Sequence, residues 1–206
     1  VKAMVAPFLQ RDDVVGIAIA TRPDCLEDEM VEYLSQLNKI TDLTIELGLQ
    51  TIHDKTGKLI NRGHGFDEFK KALQKLRDHD IDVCVHLINS LPYETEEMML
   101  ETARVVGAMD IQAIKIHMLF VLENTALATM YNRGDFALLG RDEYIAIVAR
   151  QLSLIDKKIV VERLTGDGVA SDLIAPMWSI KKVTILNDID KYMVEHDLYQ
   201  GAKKEL

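Results

Sequence analysis

The chain has 206 residues, 48% of them hydrophobic and 28% charged, with a formal net charge of −9. That length holds one domain with a sizeable core, and the acidic balance excludes a broad electrostatic surface for nucleic acid. No run of about eighteen apolar residues occurs, which excludes a helical membrane span, and the N-terminus lacks a secretory layout, so a cytoplasmic location is expected.

In chain order, the sequence opens at Val1, and residues 1–9 read as the end of a helix with Met4, Val5 and Phe8 on one face. A start in mid-architecture leads to the expectation of a fragment. Residues 14–20 are a strand by their β-branched content. Asp24 then offers an N-cap, with Glu27 three residues later as in a capping box. Leu26, Met30, Val31, Leu34 and Leu37 supply the stripe of a buried helix face.

A second strand over 43–49 leads to the glycine-rich loop Asn61-Arg62-Gly63-His64-Gly65, placed to receive an anion at a helix N-terminus or to act as a plain connection. The helix after it carries Phe66, Phe69, Leu73 and Leu76 on one face, with Lys70, Lys71 and Lys75 on a solvated one. A third strand covers 81–88, and Thr95 caps a helix with Met98, Met99, Thr102 and Val105. A fourth covers 113–119, followed by an irregular stretch and a helix near 142–155. A last strand at 159–161, the turn Thr165-Gly166-Asp167-Gly168 and a helix near 185–192 complete the pattern.

Strands alternating with helices mean βα units and a parallel sheet. Strand parity selects the architecture. Leu43, Ile45, Leu47 and Leu49 oppose Thr44, Glu46, Gly48 and Gln50; Val83, Val85 and Leu87 oppose Cys84 and His86; Ile114, Ile116 and Met118 oppose Lys115 and His117. A central strand covered by helices on both faces would be continuously apolar. A complete or open barrel with a polar lumen fits, and such folds gather functional groups at the C-terminal strand ends.

Glu46 is the strongest candidate, because an unpaired carboxylate inside a barrel is costly. It faces a ligand or an ion partner, Lys115 or Arg22. His86 and His117 sit in similar positions on consecutive strands, where their rings would converge on a metal, a nucleotide or plain hydrogen-bond partners. Arg163 and Asp167 would reach the cavity or pair at its rim. Cys25 and Cys84 form no CxxC pair, and two isolated thiols cannot hold a four-iron cluster.

Five segments in register resemble the radical S-adenosylmethionine superfamily. Thr21-Arg22-Pro23-Asp24-Cys25-Leu26 resembles its third-strand TRPD-x-L signature, and Glu46-Leu47-Gly48-Leu49-Gln50-Thr51 its fourth-strand ELG-x-Q-S/T. His86-Leu87-Ile88 through Leu91-Pro92-Tyr93-Glu94-Thr95 resembles HLI-x-GLPGET, with Ser90 and Tyr93 in place of glycines. Lys115-Ile116-His117 through Thr125-Ala126-Leu127 resembles the sixth-strand segment, and Arg163-Leu164-Thr165-Gly166-Asp167 the C-terminal portion. The resemblance points to the branch that holds the elongator catalytic subunit, oxygen-independent coproporphyrinogen oxidase and several uncharacterised Fe–S oxidoreductases.

The resemblance implies an α/β fold, a partial (β/α)6 TIM-like open barrel with its N-terminal strands missing. Residues 1–206 would be the C-terminal part of one radical barrel domain with its C-terminal extension. It implies S-adenosylmethionine and a [4Fe-4S] cluster as cofactors, the cluster ligands lying upstream in a CxxxCxxC loop, and none of this chain's residues as metal ligands. Glu46, Gln50, Ile88, His117, Leu119 and Arg22 would face the cofactor; His86, Lys115 and Arg163 would line the substrate cavity. No residue is assigned a catalytic step. The substrate class is open between a small molecule and RNA, the fragment alone is expected to be inactive, and exposed barrel edges would favour association. Two other readings stand beside it: a metal-dependent hydrolase or lyase using His86, His117 and Glu46, and a non-catalytic degenerate barrel.

Overall fold

A computed structural model describes residues 1–166 and 171–202. Five parallel strands make the main sheet in sequential order: β1 (Gly16–Thr21), β2 (Asp42–Gln50), β3 (Asp82–Asn89), β4 (Ala113–Met118) and β6 (Val160–Arg163). Between them run α2 (Asp28–Asn38), α3 (Asp54–Leu59), α4 (Phe66–Arg77), α5 (Glu96–Val106) and α7 (Arg141–Leu154), and α8 (Lys182–Glu195) follows. The short pair β5 (Val121–Leu122) and β7 (Leu173–Ala175) is antiparallel.

The period-2 pattern decides which face the helices cover. Leu43, Ile45, Leu47 and Leu49 are buried, while Thr44, Glu46, Gly48 and Gln50 between them are half-buried. The same division holds in β4, where Ile114, Ile116 and Met118 are buried and Lys115 and His117 are half-buried. On β3 the pattern is broken by Cys84, which is fully buried on the polar side. The apolar side packs with Leu34, Leu37, Phe69, Leu76, Val106, Tyr144, Val148, Ile185 and Ile189 in one core. Each such aliphatic side chain contributes about 1.5–3 kcal/mol on burial.

Four expectations about the helices are corrected. The first helix, α1, is only Lys2–Val5, and of its proposed face Val5 alone is buried, Met4 and Phe8 being exposed. Asp24 caps nothing: its carboxylate is taken by Arg22 inside the 3-10 turn Pro23–Cys25, and α2 starts at Asp28 after Glu27. On α5 the buried stripe is Met99, Leu100, Thr102, Ala103 and Val106; Met98 and Val105 flank it. The stretch after β4, read as irregular, holds β5 and α6 (Ala126–Asn132), whose Ala128 packs with Val121, Phe136 and Ala175 in a small satellite core. Thr95 does cap α5, its hydroxyl accepting from the Met98 N–H.

Both outer strands of the sheet, β1 and β6, have one unpaired edge among the described residues. Beside β1, Val1, Met4, Phe8, Val14 and Ile17 line an apolar groove. Among the described residues no helix is long and apolar enough to cross a membrane.

Candidate functional site

The C-terminal ends of β2, β3 and β4 surround a cavity of about 390 Å³ lined by Gln50, His86, Ile88, His117, Met118, Leu119, Phe120 and Arg163. That volume is within the range of small-ligand pockets. Parallel register makes the convergence: His86 pairs with Gly48 on one side and Lys115 on the other, and Ile88 pairs with His117.

Two local features shape the β2 wall. The register slips between Gly48 and Gln50, and Gln50 takes a left-handed backbone with φ 65°. A Cβ on Gly48 would lie 2.7 Å from Gln50 Nε2, so the carboxamide rests over the strand only because residue 48 has no side chain. Bulges of this kind re-aim a side chain at a strand end. On the far side, Gly166 leaves room for Phe120, whose ring edge takes the place that a Cβ would fill there. Asp167 and Gly168, the rest of that turn, lie outside the described residues.

Below the cavity an ion network spans four strands. Lys115 Nζ donates to Glu46 Oε1 at 2.6 Å and reaches Glu162 Oε2 at 3.2 Å. His86 Nε2 lies 3.0 Å from Glu46 Oε2, within reach but off the line that a hydrogen bond needs. The His86 and His117 ring centroids are 5.3 Å apart, and the buried Nε2 of each has no hydrogen-bond partner.

The protonation states follow. Burial pulls the Glu46 carboxyl upward, but the Lys115 ammonium and the His86 imidazole outweigh it and leave it below the usual range. Burial lowers Lys115, yet Glu46 and Glu162 hold it above its ordinary value. Burial pushes His86 down against the pull of Glu46. Burial, with the charges of His86, Arg163 and Lys115, pushes His117 down to about 4, so it is neutral near pH 7. Burial, aided by Glu162, drives the Cys84 thiol up to about 12, which leaves it inert.

The residues singled out in the sequence divide accordingly. Gln50, Ile88, His117, Leu119, His86 and Arg163 meet at the cavity; Glu46 and Lys115 meet beneath it as an ion pair. Arg22 does not line this cavity: it pairs with Asp24 and lies over Gly63. At the Asn61–Gly65 loop two of the N–H groups that an anion would use are already taken by carboxylates, Glu68 accepting from the Gly65 N–H at 2.6 Å and Asp54 from the Phe66 N–H at 2.8 Å. Arg62 is buried, donating to Leu49 O, Thr51 O and His64 O around the Gln50 turn. Ser90 and Tyr93 keep left-handed backbones, φ 70° and 64°, where a glycine would sit without strain. Phe120 escaped sequence reading because nothing in a loop's composition reveals that its ring seats on a glycine far along the chain. Among the described residues no group of three or more His, Cys, Asp and Glu side chains could hold a metal ion. His86, His117 and Glu46 therefore form no metal centre in this arrangement.

Comparison with known proteins bears on this geometry. A model of the radical SAM superfamily matches residues 3–106, and one of the radical SAM C-terminal domain matches residues 111–195. YtqA of Bacillus subtilis, an uncharacterized protein, is 48% identical over 94% of this chain and 60% of its own length. A tRNA uridine(34) acetyltransferase of Methanocaldococcus infernus is 30% identical over 89% of this chain and 34% of its own. The solved archaeal Elp3 of that organism, with residues 1-46 deleted, superposes with a TM-score of 0.79 at 28% identity, covering 90% of this chain and 43% of the other. The chain thus spans about 60% of YtqA and less of these other relatives.

Proposed function

The chain belongs to the radical SAM superfamily, and we propose that its strand-end cavity holds the adenosyl part of S-adenosylmethionine in an enzyme that modifies a substrate lying over the lumen. The observation that carries this is the mixed lining of that cavity, with the Gln50 carboxamide, the His86 and His117 imidazoles and Arg163 set among the apolar Ile88, Met118, Leu119 and Phe120, a combination suited to a flat, polar ligand. Gln50, on its bulge, would meet a ribose hydroxyl; Ile88 and Leu119 would pack on the base.

The residues fit the nucleoside but not the cluster. The sequence holds two cysteines and no CxxxCxxC; Cys25 is exposed, Cys84 is buried, and the two belong to separate elements. When both cofactors are bound, they supply one-electron cleavage of the sulfonium and hydrogen-atom abstraction by the resulting adenosyl radical. This chain's contribution is to bind and orient the adenosyl group, and to hold a hydrogen-bonding, near-neutral lumen around Lys115, Glu46, His86 and Arg163. We place 1–206 within one barrel domain, because the sheet continues through β4 and β6 beyond the boundary between the two family models. A relative that acts as a tRNA uridine(34) acetyltransferase supports RNA as the substrate; the net charge of −9 supports a small molecule.

Titration calorimetry with S-adenosylhomocysteine tests the cavity assignment. Saturable binding with a Kd of about 1 mM or tighter is expected, weakened about tenfold by Gln50→Ala through loss of one hydrogen bond. Absence of saturation, or an unchanged Kd in a folded Gln50→Ala variant, would refute it.

A further inference from the structure

Beneath the cavity lies a carboxylate–imidazole contact that cofactor binding does not use. His86 Nε2 stands 3.0 Å from Glu46 Oε2, while the other Glu46 oxygen is fixed by Lys115 at 2.6 Å. Lys115 is anchored in turn by Glu162 on β6. Glu46 therefore cannot turn away from the histidine without giving up its ammonium partner. An ionised carboxylate beside a ring nitrogen favours the tautomer that carries its hydrogen on that nitrogen. Nε2 thus bears the proton, and Nδ1 keeps a lone pair on a ring that lines the cavity.

We propose that Glu46 and His86 form a carboxylate–imidazole pair that serves as the proton acceptor of the strand-end cavity. A substrate over the lumen that presents an acidic N–H, O–H or activated C–H group to His86 loses that proton to its Nδ1. The electron pair of the broken bond stays on the substrate, and the imidazolium is held by the Glu46 carboxylate, so the pair becomes net neutral and no oxidant or reductant is consumed. Apo sites often hold such contacts slightly out of line and tighten them when loaded. Glu46 is a positioning residue in this arrangement, acting through His86. The proposal rests on the reading of this cavity as a ligand site, and it adds acid–base chemistry to that reading.

The ionisable groups that face His86 are Glu46 from β2, Cys84 from its own strand, Lys115 and His117 from β4, and Glu162 and Arg163 from β6. Only the first attracts the proton directly at contact distance. That makes the effect of Glu46 separable from a general structural change.

Two measurements test it. Side-chain ¹⁵N NMR of the whole chain reads the tautomer and midpoint of each histidine. His86 is expected with its hydrogen on Nε2, and Glu46→Gln is expected to lower its midpoint by about one pH unit, with Glu46→Asp restoring most of the shift. Diethyl pyrocarbonate acylates only a bare imidazole nitrogen, so mass spectrometry of treated protein reads the accessible lone pair. His86 is expected to react, and its rate to fall about tenfold in Glu46→Gln, in line with about one unit of basicity. A wild-type His86 carrying its hydrogen on Nδ1 overturns the proposal without any variant having to fold. So does a His86 midpoint or acylation rate that Glu46→Gln leaves unchanged. Neither readout involves S-adenosylhomocysteine, so failure of the cofactor assignment and failure of this pair are told apart.

Discussion

Given iron, sulfide and dithionite under anaerobic conditions, this chain will form no 5′-deoxyadenosine from S-adenosylmethionine. A four-iron cluster takes several thiolates at short spacing, and the sequence offers two cysteines that share no motif. Cys84 is also the wrong kind of thiol: at a pKa of about 12 it is almost wholly protonated near neutrality. Cys25 is exposed, with the Arg22–Asp24 pair immediately before it. The loss expected is complete, because without the cluster no electron reaches the sulfonium. Chromatography of the quenched mixture reads the outcome. Deoxyadenosine in amounts stoichiometric with protein would contradict the account, and would mean that ligands other than a cysteine triad can hold the cluster.

Lys115→Met is expected to be the most damaging single substitution in the lumen. Its side chain is 12% exposed, and the ammonium stands between Glu46, whose side chain is 19% exposed, and Glu162. Methionine fills the volume but leaves the Glu46 carboxylate with His86 as its sole contact at this end. Losing a hydrogen bond between charged groups at a partly buried site costs about 1.5–3 kcal/mol, or roughly 3–12 °C in the melting temperature of a domain this size. The double variant Lys115→Met with Glu46→Gln removes the orphaned charge and is expected to recover most of that loss. The pH dependence has a definite sign. The folded-state pKa of Glu46 is depressed, so its stabilisation is present above the unfolded carboxyl value and is lost as pH falls through the folded one. The gap between wild type and Lys115→Met therefore narrows in acid. Thermal melts at several pH values decide it; a shift below about 2 °C near neutrality would mean that the triad adds little.

How much of this was legible beforehand depends on the range of the interaction. Period-2 alternation on residues 43–49 and 114–118 gave the covered face and the polar face, because in a strand that division is a property of adjacent residues. It also brought Glu46, His86, Lys115 and His117 to one side, and the Glu46–Lys115 pair was among the alternatives that the pattern left open. Cys84 escaped the rule, since a small thiol is tolerated on either side. Helix starts were read less well. Asp24 has the composition of a cap, yet Arg22 beside it competes for the same carboxylate and wins. The loop at 61–65 looked like an anion receptor because glycines and a helix start are local signals. The carboxylates that close it come from Glu68 within the helix and from Asp54, twelve residues before Phe66. Likewise, that Arg62 braces the carbonyls on both sides of Gln50, and that Gly166 seats the Phe120 ring, are contacts made only after folding.

The central claim is that the nucleoside site lies at the ends of β2, β3 and β4, and amide ¹H–¹⁵N shift mapping during titration with S-adenosylhomocysteine addresses it most directly. The expected result is a saturating perturbation centred on Gln50, His86, Ile88, His117, Met118, Leu119, Phe120 and Arg163. Perturbation at the apolar groove beside β1 or at the 61–65 loop in its place, or none at ligand concentrations of several millimolar, would contradict it.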